Sequence, residues 1–235
     1  MVTMNRDELR TRKESGLLYS RSHNDTRLFY PVDVLSGGTW FGANNRGVIL
    51  ALLNRYHAPE TPGAKSRGDI IPSALEKGGL EGVSKFLHEL KFSAYNPFDL
   101  FLVGKKHIEH FSWDGEHYLA SQKSFKHWFM FTSSSLKTEE VIAYRKSLFN
   151  AWTSEMGKKL TDASELLRGY HMIQFEGMEK HSVLMEREKS HTKSIMQADV
   201  EGKKLSLKYL PDILEKSIDA PLADAQVEVL EIRKS

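Results

Sequence analysis

The 235 residues include 40% hydrophobic and 10% aromatic side chains, enough to bury a substantial core. Lys and Arg total 33 against 31 Asp and Glu, and the formal charge of +2 creates no global field to draw in nucleic acid or an anionic membrane. With no cysteine, disulfides, Cys-ligated zinc and a thiol nucleophile are excluded for the residues present. No apolar run is long enough for a membrane span and the first residues lack a signal peptide's apolar stretch, so the default compartment is the cytosol.

The opening MVTMNRDELRTR sets Asn5, Arg6, Asp7 and Glu8 side by side. One reading is a helix start with Asn5 as N-cap and the acids in the first turn. The other is the tail of a strand whose Arg6 and Asp7 serve a site with its remaining half upstream. Residues 26–56 read as extended, with Asn44, Asn45, Arg46 and Gly47 forming a hairpin turn into VILALLN, a run without alternation that should be buried on both faces. Pro59, Pro62 and Gly63 mark a loop over 57–65. Ser66 is expected to cap a helix reaching about Glu76, with Pro72 disturbing its interior, and Leu80, Val83, Phe86, Leu87 and Leu90 predict an amphipathic helix over 80–91.

FDLFLVG at 98–104 suits a central strand, and HIEHFSWDGEHYLA reads as two strands joined at Asp114-Gly115. HWFMFTS at 127–133 is predicted to be a further strand. Thr138 should cap a long helix with Glu139 and Glu140 in its first turn and Val141, Arg145, Leu148, Phe149, Trp152 and Met156 on one stripe. A short helix follows at DASELLRG. Strands are then expected at SVLMERE from Ser182, across 190–200, at KLSLKYL after a turn near Gly202, and at QVEVLEI. No repeat or low-complexity linker divides this order, which predicts one α+β domain spanning 1–235 with helices outside stacked sheets.

Several chemistries can be set aside on pattern. His107 and His110 lie three apart on a strand and face opposite sides, so they cannot share a metal ion without a bulge. The serines 133–135 lack a G-x-S-x-G elbow, and the Gly37-Gly38 pair precedes a strand rather than a helix and is no phosphate loop. Basic segments such as Lys203-Lys204 lack interleaved aromatics on a shared face and do not suggest nucleic-acid binding. What remains is a set of polar residues at strand ends, Asn5, Arg6, Asp7, Asn54 and Arg67, which either satisfy local backbone or converge on a pocket.

NRDE at 5–8 with Arg12, LFYP at 28–31, GGTWFGANNRG at 37–47, LLN ending at Asn54, and Ser66-Arg67-Gly68 form an ordered pattern that resembles the NRDE family, also called the transport-and-Golgi-organisation protein two family. SSSLKTEEVIAYRKSLF at 133–149 is similar to the family's serine-containing segment and following helix. The resemblance implies an N-terminal-nucleophile hydrolase fold, a four-layer αββα sandwich, related to cysteine acylases in which a terminal Cys attacks an amide. On that resemblance Arg6 and Asp7 would position the nucleophile and Asn54 would donate to the oxyanion, with Asn5, Trp40 and Arg67 on the substrate side.

Family members carry the Cys on a strand before NRDE, whereas only Met1, Val2, Thr3 and Met4 precede Asn5 here. The expectation is a start further upstream; otherwise the scaffold works without amide hydrolysis. The expected partner is a small amide or apolar ligand, with no cofactor. The alternative occupant is haem, because eukaryotic relatives are linked to haem handling; Trp40 and Phe41 would then contact it and a nearby His would be its axial ligand.

Overall fold

In the computed structural model, residues 1–56, 60–105, 107–123, 128–157, 159, 162–214 and 226–233 are described. The opening stretch is a strand, β1 (Val2–Leu9), and not a helix. It is followed by β2 (Glu14–His23), β3 (Thr26–Asp33), β4 (Phe41–Asn44) and β5 (Ile49–Asn54). Helices α1 (Ile70–Leu75) and α2 (Leu80–His88) precede β6 (Phe98–Gly104), β7 (His107–Trp113) and β8 (Tyr118–Lys123). Helices α3 (Thr138–Met156) and α4 (Ala163–His171) lead to β9 (Ser190–Glu201), β10 (Lys204–Pro211) and β11 (Gln226–Glu231). This is an α+β fold with two sheets.

Strands β2 to β8 form a seven-stranded antiparallel meander in chain order, and the second sheet runs β1-β9-β10-β11. Phe29, Phe41, Ile49 and Phe101 of the first sheet pack against Met196, Leu205, Leu207 and Tyr209 of the second, which fixes the sheets face to face. The meander's other face takes Leu50, Leu100 and Phe111 onto Ile71 and Leu75 of α1 and Val83 and Leu87 of α2. Phe149 of α3 meets Leu167 and Tyr170 of α4 beside Val183. VILALLN is buried from Val48 to Leu52 as its unbroken apolar run requires.

The Asn-rich turn between β4 and β5 does more than reverse the chain. Gly47 takes φ +76°, Asn44 Oδ1 accepts from the Arg46 and Val48 amides, and Asn44 Nδ2 donates to the Leu75 and Gly78 carbonyls at 3.0 and 2.8 Å. One buried amide thereby closes the hairpin and satisfies the end of α1. His107 and His110 do face opposite sides of β7: His107 hydrogen-bonds Glu109, while His110 stacks on Phe101 at 4.5 Å and contacts Asp99 at 2.7 Å.

Four local expectations change. Ser66 caps a 3-10 turn, Arg67–Asp69, and Pro72 falls in the first turn of the short α1, where a missing N–H leaves no bond unmade. Lys137 in left-handed conformation precedes α3 and makes no side-chain cap, while Thr138 Oγ1 donates backwards to the Ser134 carbonyl at 2.8 Å. HWFMFTS is no strand over its described residues 128–133: Met130 packs with the α3–α4 cluster and Phe131 on Phe101, so the segment bridges two layers instead of pairing. SVLMERE is also irregular, because Ser182 to Met185 bury their side chains and Ser182 turns inward to bond Met178 O. The predicted loop over 57–65 lies partly outside the described residues.

Candidate functional site

Strand β1 is bonded on one side to β9, and its two faces see different surroundings. Val2 and Met4 join the core between the sheets, while Asn5 and Asp7 turn toward α3, α4 and the chain before β9. A bulge between Arg6 and Asp7, with Arg6 opposite Ser194 and Asp7 opposite Thr192, adjusts the aim of both side chains.

Arg6 enters from one sheet between two carboxylates of the other. Glu14 and Asp33 are cross-strand neighbours of β2 and β3, an arrangement that is repulsive unless a cation intervenes. Arg6 Nη1 bonds Glu14 at 2.8 Å and Nη2 pairs with Asp33, while the guanidinium lies 4.1 Å over the Trp40 ring. Arg12 Nε adds a second bond to Asp33 at 2.6 Å, and Tyr209 donates to Glu14 at 2.7 Å. Burial raises the Asp33 pKa, but the Arg12 hydrogen bond, the Ser36 amide and the Arg6 and Arg12 charges outweigh it and hold the carboxyl below its ordinary value.

On the other face, Asp7 accepts from Thr192 Oγ1 at 2.6 Å and lies 3.5 Å from Arg145 of α3. Arg145 is buried and also donates to the Ser182 carbonyl at 2.7 Å and to Thr132 at 3.1 Å. Asn5 spends its amide N–H groups on the carbonyls of His171 and Val183, both at 2.9 Å, and its Oδ1 lies 2.8 Å from His171 Nδ1. Burial, reinforced by the Arg145 charge, pushes His171 down to about 3, so the imidazole is neutral.

Of these residues, Asn5, Arg6, Asp7, Arg12, Asp33, Arg145 and His171 line one cavity of about 1440 Å³, together with Trp40, Asn54, Tyr56 and Arg67. Asn54 ends β5 and hydrogen-bonds Tyr56, whose phenol is raised first by burial and further by Glu8 and Asp7. Arg67 is fixed to the Pro97 carbonyl at 2.9 Å, and the buried Trp40 indole N–H has no partner among the described residues. Phe41, by contrast, is fully buried in the core between the sheets. His171 is the histidine of the described cavity wall, and among the described residues no group of three or more His, Asp or Glu is arranged to hold a metal ion.

All six residues singled out in the sequence, Asn5, Arg6, Asp7, Trp40, Asn54 and Arg67, therefore meet at this cavity. Sequence reasoning missed Glu14, which braces Arg6, and the cavity-lining Asp33, Tyr56, His171 and Arg187. Asp33 did carry a signal: in DVLSGG its Oδ1 accepts from the Leu35 and Ser36 amides at 3.1 and 2.9 Å, an Asx-type turn.

The two sheets with flanking helices and the cavity along β1 define the chain as an α+β protein. The fold is similar to that of the Caenorhabditis elegans N-acylethanolamine-hydrolyzing acid amidase (NAAA) ortholog, with a TM-score of 0.51 and 14% identity, over 73% of this chain and 80% of that one. A model of the family Transport and Golgi organisation 2 (TANGO2) matches residues 1–215, and the chain belongs to that family. No curated protein matches the sequence. No helix among the described residues is long and apolar enough to cross a membrane.

Proposed function

We propose that residues 1–235 form a single domain with the four-layer αββα arrangement of the N-terminal-nucleophile hydrolases, and that its cavity binds a small acyl amide. The observation that carries this reading is the convergence of Arg6, Asp7 and Asn54 on one cavity of about 1440 Å³ walled by β1. Arg6, immobilised by Glu14, Asp33 and Trp40, and Asp7, held by Thr192 and Arg145, are the positioning pair. Asn54, at the cavity wall beside Tyr56, is the amide donor to developing negative charge on the substrate oxygen. Trp40 and Arg67 meet the substrate, and Asn5 shapes the wall through His171.

The 235 residues contain no cysteine, so none of them is assigned the nucleophile. The test supplies one: a chain extended before Met1 by a strand that starts with Cys, assayed against fluorogenic acyl amides. Hydrolysis is expected, with Asn54→Ala lowering kcat/KM by about 10²- to 10³-fold. An unchanged rate would remove Asn54 from the oxyanion role. Failure of the unextended chain to bind any acyl amide, read by tryptophan fluorescence, would overturn the reading of the cavity. Haem is the alternative occupant, with His171 as the imidazole on the wall; a Soret shift on haem titration that disappears in His171→Ala would favour it.

A further inference from the structure

Five arginines line the cavity, and four of them have carboxylate partners: Arg6 and Arg12 at Asp33, Arg67 at Glu60 and Arg145 at Asp7. The fifth, Arg187, lies just before β9 and has only neutral partners among the described residues. Its Nε donates to the Lys180 carbonyl at 3.1 Å, Nη2 to Ser134 Oγ at 3.0 Å and Nη1 to Ser135 Oγ at 3.4 Å. Taking a guanidinium partly out of water without a counter-charge is costly. Burial, together with the Arg145 charge, lowers the Arg187 pKa, although Asp7 opposes the shift. Asp7 is itself committed to Thr192 and Arg145. An anion from outside the chain would complete the set.

The same wall has an apolar end. Trp128, Phe129 and Phe131 all line the cavity and remain 45%, 44% and 39% exposed. They lie on the unpaired segment that continues directly into Ser134 and Ser135, so the aromatic and hydroxyl ends share one stretch of backbone. From Phe131 to Ser134 the chain can span at most about 11 Å. That distance suits an acid group at one end and the beginning of an alkyl chain at the other.

We propose that this cavity takes an anionic amphiphile, its carboxylate or phosphate held by Arg187 with Ser135 and its apolar chain lying along Trp128, Phe129 and Phe131; Ser134, whose hydroxyl donates to the Leu136 carbonyl at 2.7 Å, orients Arg187. This rests on reading the cavity as a small-molecule pocket and narrows the chemistry of what enters it. A guanidinium charge beside a hydroxyl selects an oxyanion over a neutral head, and the aromatic wall selects a long chain over a free acid.

The experiment is calorimetric titration of the 235-residue chain with dodecanoate, dodecyl phosphate, dodecanol and inorganic phosphate, each amphiphile below its micellar concentration. Both anionic amphiphiles are expected to bind at least 10-fold more tightly than dodecanol, and the tighter of the two names the head group. Inorganic phosphate is expected to be at least 100-fold weaker. Arg187→Gln should reduce dodecyl phosphate to the affinity of dodecanol, and Trp128→Ala should weaken all three chains alike. If Arg187→Gln does not fold, raising salt on the unsubstituted protein is the second readout: binding of the anions should weaken while that of dodecanol holds. Equal affinity for dodecanol and dodecyl phosphate would overturn the acid site, and equal affinity for dodecyl phosphate and inorganic phosphate would overturn the apolar end. Binding of neutral acyl amides without any anion preference would sink this inference alone; binding of nothing at all would sink the pocket reading as well.

Discussion

Arg6 shows how much one side chain can hold. Its fork separates the opposed carboxylates of Glu14 and Asp33 while its flat face covers Trp40, so edge and face are both in use. A lysine has the charge but neither the fork nor the plane. Arg6→Lys is therefore expected to recover little, and Arg6→Ala should destabilise by about 3–5 kcal/mol, because two buried carboxylates lose their shared partner. Urea denaturation of the two variants beside the parent measures both, and a full rescue by lysine would contradict the account.

His171 sets the response to mild acid. Its folded pKa lies at about 3 against an ordinary 6.5, so between those values the unfolded chain binds a proton that the folded chain refuses. The folded pKa is depressed, and stability must therefore fall as the pH drops through that window, by at most about 1.4 kcal/mol per pH unit from this one group. His171→Asn should flatten the slope between pH 6.5 and 4.5 relative to the parent; parallel slopes would show that the imidazole is not kept neutral. Asp33, held below the ordinary carboxylate value, adds its own loss at lower pH as it is forced to protonate.

At the level of elements, the cavity's shape depends on a crossing of two backbones. A Cβ on Gly38 would sit 2.7 Å from the Gly68 Cα, one on Gly68 would sit 2.9 Å from the Gly38 Cα, and the Thr39 amide bonds the Gly68 carbonyl at 3.0 Å. The GGTW and SRG motifs, far apart in the chain, are thus two halves of one contact that holds Trp40 and Arg67 at the cavity. Gly68→Ala cannot be absorbed by a side-chain rotation and is expected to cost about 1–3 kcal/mol, with weaker ligand binding as Arg67 shifts. Wild-type stability and affinity in that variant would refute the crossing.

The elements legible in the sequence were those whose partners lie close in the chain. The β4–β5 hairpin and the Asp114-Gly115 turn, where Gly115 has φ +105°, were both written in local turn chemistry. Residues 128–133 and SVLMERE were misread because apolar content alone marks burial without saying whether the backbone has a neighbour. The candidate site was half legible. Asn54 ends β5 as its pattern suggested, while Arg6 and Asp7, read as a strand's tail, lie inside β1 at its bulge; Glu14 and Arg187 acquire their roles from residues on other elements and no local spacing announces them.

For the molecule as a whole, function depends on how two sheets meet. The core of Phe41, Phe101, Leu205 and Tyr209 fixes their separation, and Arg6 spans the same gap with charge instead of hydrocarbon. The cavity opens where the second sheet ends at β1, so the strand that walls the site is an edge strand, paired among the described residues with β9. That arrangement has a mechanical side. A pull on Met1 at right angles to β1 loads the β1–β9 pairs one after another, beginning with Val2 and Ala198, as a zipper does rather than as a lap joint. The tear would lift Val2 and Met4 from the core and break the Asn5 bonds before it met Arg6, where the ion pairs and the indole act as a rivet. Tension applied at Met1 would thus reach the site through β1 alone, and the Arg6 lattice would decide how much of it arrived.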